Sequence, residues 1–161
     1  MKIAILGNVH NDGWDLLKES KFECFEITNF DENSLKIQLA DVDAILLRTS
    51  NLNSNTLSNC KKLKIIARHG VGYDNVDLGY LNKNKIALGI TGTSNAVSVA
   101  EHVLTSFLYL TKNIHLSDKL TREGNFKNKS SLPNFFELYQ KNVLILGFGR
   151  IGKEVAKRCK G

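Results

Sequence analysis

Cysteine and proline are both scarce in this 161-residue chain. The cysteines, Cys24, Cys60 and Cys159, are odd in number and share no metal-ligand spacing. That argues against a disulfide framework and suits three reduced thiols in a cytosol, so a cytoplasmic location is expected. No apolar run reaches eighteen residues, so no transmembrane helix is expected. The opening stretch Met1–Gly7 is too short an apolar run for a signal peptide and lacks a cleavage site, so it is read as a first strand. There is no internal repeat and no low-complexity tract. The single proline, Pro133, falls in a stretch rich in Asn, Lys and Ser, residues 121–141, read as an irregular connection.

Acidic residues run short in one half only. Residues 1–98 balance eleven Lys/Arg against eleven Asp/Glu, whereas residues 99–161 hold eleven against five, which accounts for the whole net charge of +6. A basic half can mark a nucleic-acid surface. These lysines are scattered, however, and no RNA-binding or helix-turn-helix signature accompanies them. The reading preferred is that the acidic remainder of a longer sequence is missing, with neither nucleic acid nor membrane as a partner.

What is present is the patterning of a globular α/β protein, at 42% apolar and 24% charged residues. Ile3–Leu6, Phe22–Ile27, Ala44–Leu47, Leu63–Ala67 and Ile86–Ile90 read as strands. Helix candidates near residues 12–20, 32–40, 55–60 and 77–83 separate them. The run Ala44-Ile45-Leu46-Leu47 is continuously apolar, as a parallel strand covered on both faces should be. This alternation predicts a doubly wound parallel sheet. Asp31 and Asp77 stand where helix N-caps belong, and Asn84 where a left-handed C-cap would help.

Residues 96–120 form the longest periodic segment. Ala96, Ala100, Val103, Leu104, Phe107, Leu108 and Ile114 share one face, and Ser98 with Glu101 has capping-box spacing. A single helix of this length is expected to link two units or pack on another subunit. Three parts follow: residues 1–98, a linking helix and connection over 99–141, and a new βα unit from 142. Residues after about 120 are expected to be poorly anchored in an isolated monomer, or covered by another chain.

In open α/β sheets, ligands bind beyond the carboxyl ends of the strands. The third strand ends in Arg48-Thr49-Ser50, the fourth in Arg68-His69-Gly70-Val71-Gly72, and the fifth leads to Thr91-Gly92-Thr93-Ser94-Asn95. Gly70 and Gly72 would let backbone N–H groups approach an anion, and arginine can grip a carboxylate or phosphate with two donors. The plainer reading makes Gly-x-Gly a turn and the arginines solvated. Gly147-Phe148-Gly149-Arg150-Ile151-Gly152 follows the apolar run Val143–Leu146 and precedes a helical pattern, the context a dinucleotide-binding turn requires. There Gly147 would make the tight turn, Gly149 the close approach to a pyrophosphate and Gly152 the helix–strand contact. The N–H groups of Arg150 and Ile151 would face the phosphates.

Among the histidines, His102 is expected to be packed or half-exposed rather than catalytic. His69 flanks the Gly-x-Gly turn without a carboxylate placed to orient it, and His10 and His115 have no supporting pattern. Glu101 is explained by the helix dipole and the cap.

"ARHGVGYDNVDL" (67–78), "TGTSNAVSVAEHVL" (91–104) and "VLILGFGRIGKEVA" (143–156), in that order, resemble the D-isomer-specific 2-hydroxyacid dehydrogenases, and among them the phosphoglycerate dehydrogenases. The resemblance runs over the whole chain and covers about the first half of such an enzyme. It implies a flavodoxin-like substrate domain at 1–98 and the first βα unit of a truncated Rossmann NAD-binding domain at 142–161. It implies a homodimer through the helix at 96–120, with NAD (or NADP) and a small 2-hydroxy or 2-keto acid as partners. Gly70, Val71 and Gly72 would meet the substrate carboxylate, with Val71 also at the nicotinamide end. Arg48 and Arg68 would hold the acid or its phosphate, and Gly147, Gly149, Arg150, Ile151 and Gly152 would hold the cofactor. The family's catalytic histidine, its carboxylate and its arginine would lie beyond Gly161, so no catalytic residue and no metal ligand is assigned. The chain alone is expected to be inactive, with a non-catalytic binding or dimerising module as the alternative. Gly92 stands where the family usually has proline, Ile90 where it has asparagine, and Phe126 where tryptophan is common.

Overall fold

All five apolar runs in the first ninety residues become strands of one sheet in the structure, a computed structural model that describes residues 1–160. In chain order these are β1 (Lys2–Leu6), α1 (Asn11–Glu19), β2 (Glu23–Ile27), α2 (Glu32–Gln38), β3 (Ala44–Leu47), α3 (Ser54–Leu57), β4 (Ile65–Arg68), α4 (Leu78–Asn84) and β5 (Ala87–Ile90). All pairings are parallel and the spatial order is β2-β1-β3-β4-β5, that of a flavodoxin-like doubly wound sheet.

Right-handed crossovers then put α1 on one face and α2, α3 and α4 on the other. The core follows that division. Ala4, Leu6, Ile45, Leu47 and Ile66 pack with Leu35 and Leu39 of α2, Leu57 of α3 and Leu81 of α4. The α1 face is covered unevenly: Ile5 is fully buried on β1, whereas Ile65 on β4 is 37% exposed. Asp31 and Asp77 cap their helices as the sequence suggests, accepting from the Ser34 and Tyr80 amides. The left-handed residue that ends α4 is Lys85 (φ 56°), not Asn84, whose side chain instead donates to the Tyr80 carbonyl.

The chain divides into two compact units, Met1–Gly92 and the residues from Thr93 onward. In the second, the long helix is two. Helix α5 (Ala96–Thr111) stops where Asn113 adopts φ 46° and ψ 44°, and α6 (Ile114–Arg122) starts afresh. Asn pays less than most residues for a left-handed turn. The Thr111 carbonyl, released by the break, accepts the Phe136 N–H, and Asn113 Nδ2 donates to the Pro133 carbonyl. Ile114 therefore does not extend the stripe of α5 and is largely exposed.

Nor do Ser98 and Glu101 form a capping box. Helix α5 begins at Ala96, behind Asn95, which makes no side-chain cap bond, so both residues sit inside the helix. After a short 3-10 segment (Phe126–Ser131), Val143–Leu146 pairs with no strand, and α7 (Arg150–Lys160) follows. A strand exists only through its neighbours' N–H and C=O groups, and among the described residues none is offered to this run. Leu144 and Leu146 are 84% and 89% exposed.

Candidate functional site

In the first unit, backbone bonds lace the carboxyl ends of the strands into one rim. The Arg48 N–H donates to Leu6 O (2.9 Å), the His69 N–H to Leu47 O (2.7 Å) and the Thr91 N–H to Gly70 O (3.1 Å). The loops beyond are stapled as well. Leu52 N–H donates to Asn75 O, Asp77 N–H to Leu52 O, and Asn75 Nδ2 to Ser50 O (2.7 Å). These bonds fix the loop after β3 against the loop carrying Gly70, Val71 and Gly72, so the edge is shaped before any ligand arrives.

Arg48 and Arg68 occupy this rim differently. Arg68 ends β4 with Leu47 as its register partner, so Arg48 lies one residue further along. Arg48 leans over Gly7 and its Nη1 donates to the Asn8 carbonyl (3.2 Å). The left-handed φ of +107° at Gly7 makes room, since a Cβ there would lie 2.9 Å from Arg48 Cβ. Arg68 folds back on its own loop: Nη1 donates to the His69 carbonyl, and its buried Nε has no partner among the described residues. Its guanidinium covers Gly70, where a Cβ would stand 2.1 Å from Nη1. Val71 is half-buried and Gly72 exposed.

A cavity of about 400 Å³ opens here, walled by Val9, Leu46, Ala67 and Ile90, with Arg68, His69 and Thr91 as its polar groups. Arg48, Val71 and Gly72 do not line it. The loop after β1 also belongs to this edge: Val9 walls the cavity and Gly7 and Asn8 receive Arg48, and the apolar strand running into Gly7-Asn8 is its signal in the sequence.

In the second unit the glycine turn sits against the start of α7. Gly147 has φ +89° and Gly152 is buried. A Cβ at Gly152 would lie 2.3 Å from the Gly147 carbonyl oxygen, so turn and helix are in direct contact. Around Gly149 nothing stands within 4 Å of a Cβ position, leaving the backbone open to close approach. Helix α7 has no acidic residue in its first turn and carries Lys157, Arg158 and Lys160 in its last. Its N-terminal dipole is thus left unopposed by a local carboxylate, an arrangement that favours anions. The residues present therefore fit a dinucleotide pyrophosphate.

Glu101 is not occupied by a cap. It accepts from Arg158 Nη2 of α7 at 3.1 Å. Hydrogen bonding with Glu101, then Glu154, raises the Arg158 pKa, while Lys157 and then Arg158 hold the Glu154 carboxyl below its ordinary range.

Of the histidines, His69 lines the cavity, His102 is exposed on α5, His115 stacks on Tyr109 and His10 caps α1 through Nδ1. Among the described residues, no group of three His, Cys, Asp or Glu could hold a metal, and no helix is long and apolar enough to cross a membrane.

These features define a flavodoxin-like α/β domain, with a cavity at its strand ends, in one chain with a Rossmann-type glycine turn. Residues 3–154 match the family described as D-isomer specific 2-hydroxyacid dehydrogenase, catalytic domain, and the chain belongs to that family. It is 29% identical to the D-3-phosphoglycerate dehydrogenase of Archaeoglobus fulgidus, over 99% of this chain and 30% of that protein. It is 30% identical to the glyoxylate reductase of Pyrococcus furiosus, over 99% and 50%. Among solved structures, the NAD-dependent formate dehydrogenase of Staphylococcus aureus, in complex with NAD, superposes with a TM-score of 0.79 at 29% identity, over 98% of this chain and 53% of that one. The chain thus spans about half the length, or less, of these relatives.

Proposed function

We propose that this chain is the N-terminal part of a nicotinamide-dependent oxidoreductase that moves a hydride between the cofactor and C2 of a D-2-hydroxy acid, with 3-phosphoglycerate as the leading substrate. The observation that carries the proposal is the laced rim, which brings Arg48, Arg68 and the Gly70 loop to one edge of a domain of this family. Gly70, Val71 and Gly72 form the loop that meets the substrate carboxylate: Val71 and Gly72 offer backbone N–H groups, the Gly70 N–H, held by the Arg68 carbonyl at 2.8 Å in the free chain, joins them as Arg68 swings away, and Val71 also meets the nicotinamide. The two arginines leave carbonyl oxygens they hold in the free chain and take the acid and its phosphate. Gly147, Gly149, Arg150, Ile151 and Gly152 receive the pyrophosphate of NAD, or of NADP, since none of these residues reads the ribose 2′ position.

The bound nicotinamide supplies the hydride chemistry. The chain's own residues bind, orient and neutralise charge. None of them is assigned as the acid or base, so the 161-residue chain is expected to bind without turnover. The exposed Leu108, Tyr109 and Leu110 on α5 favour assembly into a homodimer, and they also support the second reading, a binding or dimerising module.

Calorimetric titration with 3-phosphoglycerate tests the proposal. Arg48→Gln and Arg68→Gln are each expected to weaken binding by about tenfold or more, the worth of a charged hydrogen bond. Unchanged affinity in both variants defeats the substrate assignment, and NADH-linked turnover by the chain itself defeats the expected inactivity.

A further inference from the structure

We infer that Glu101 and Arg158 form a paired positioning device that aims the glycine turn, an inference that rests on the reading of that turn as the pyrophosphate seat. Helices α5 and α7 approach closely, but the side chains they bury fully are few and small: among the described residues only Ala96 and Ala100 on α5, and Gly152 and Val155 on α7. Small and smooth surfaces of this kind hold two helices together without fixing how far one slides along the other. A slip of one residue moves a helix by about 1.5 Å and turns it by about 100°.

Arg158 supplies what the apolar contact lacks. Its guanidinium is planar, with donors in a fixed fork. Nη2 donates to Glu101 Oε1 at 3.1 Å, and Nη1 donates to Glu154 Oε2 at 2.9 Å and to the Glu154 carbonyl at 3.1 Å. One branch is tied to α7 itself, and the other crosses 57 residues of sequence to α5. Lys157 Nζ holds the remaining oxygen of Glu154 at 2.6 Å. At the other end of α7, Gly152 rests against the Gly147 carbonyl. Displacement of the helix is therefore passed straight to the turn. The clamp lies on the exposed side of the contact, with Glu101 63% and Arg158 27% exposed, so its contribution to stability is small. Its effect is on where the turn amides point.

The test uses the full 161-residue chain with Glu101→Gln, Arg158→Gln and the double variant. Amide resonances of Gly147, Gly149 and Gly152 are recorded, together with the dissociation constant for NAD and the thermal midpoint. Each single variant is expected to shift the turn amides and to weaken NAD by about tenfold, as misplacement on the ångström scale does. The double variant is expected to be no worse than either single, because the pair acts as one unit. The midpoint stays in place. Turn amides that do not move overturn the inference, as do single effects that add in the double. Loss of the α7 resonances in Glu101→Gln also overturns it, because the pair would then hold the helix rather than aim the turn. Should NAD leave the unaltered chain's spectrum unchanged, the cofactor reading fails by itself, and the turn amides still decide the clamp.

Discussion

Ala44-Ile45-Leu46-Leu47 and Val143-Leu144-Ile145-Leu146 are nearly the same four residues in a different order, yet the first is a buried strand and the second is not a strand at all. The contrast extends to the two units. Of the 22 buried apolar residues among those described, 19 precede Gly92, and only Ala96, Ala100 and Val155 follow it. Apolar character is spread over both units, but burial is not. An apolar run is a demand for neighbours, and the structure it takes depends on whether other segments meet that demand.

The sharpest test of the contrast is chemical. Burial pushes the Cys60 thiol up to about 11, and the side chain is enclosed in the core, whereas Cys159 is exposed on α7. With a disulfide reagent at neutral pH, Cys159 is expected to react at once. Cys60 waits for the first unit to open, which slows it by more than about a thousandfold at ordinary domain stability. Comparable rates for the two thiols would erase the distinction between the units.

Core truncation comes next. Leu47→Ala is expected to cost about 3 kcal/mol, and Leu146→Ala less than about 0.5 kcal/mol. Urea unfolding followed by the fluorescence of Trp14, the single tryptophan, measures the first, and far-ultraviolet dichroism the second. A substantial loss at Leu146 would mean that a partner covers the run.

Helix caps repeat the contrast on a smaller scale. Asp77 accepts the Tyr80 N–H at 2.9 Å, while Asn95 makes no cap bond. Replacement of Asp77 by alanine should cost about 1 kcal/mol, and the same change at Asn95 should lie within the error of the unfolding midpoint.

The smallest effect is acid sensitivity. The Lys2 N–H, then Lys64, holds the Asp43 carboxyl below its ordinary value. A depressed folded pKa stabilises above the unfolded value, about 3.9, and the contribution is lost as pH falls through the folded one. Asp43→Asn should therefore flatten the decline of the urea midpoint below about pH 4. An unchanged acid limb would show that the bonds to Asp43 contribute nothing.

The first unit was legible because its information is local. Continuous apolar runs and aspartates at caps suffice to locate five strands and the helices between them. The second unit departs from its sequence pattern where the deciding contact is distant. Nothing in Val143–Leu146 itself says that no strand will pair with it. The periodicity of residues 96–120 hides a break at Asn113 that bonds to Pro133 and Phe136 secure from twenty residues away. Asparagine tolerates a left-handed turn better than lysine, but α4 runs through Asn84 and the turn falls on Lys85. At the candidate site, strand ends and glycines could be located from order alone. The fold-back of Arg68 over Gly70, and the grip of Arg158 on Glu101, depend on side-chain torsions that no spacing encodes.

The two glycines around the start of α7 are bound by different constraints. Gly152 is closed to every side chain by the carbonyl of Gly147, whatever the protein binds, whereas the space around Gly149 is empty. If the turn seats a pyrophosphate as proposed, a lineage that gave up its cofactor would be free to replace Gly149 and would still inherit Gly152. The two positions therefore form a clock and its case: drift at the first records when binding ceased to matter, while persistence at the second records only that the chain still folds.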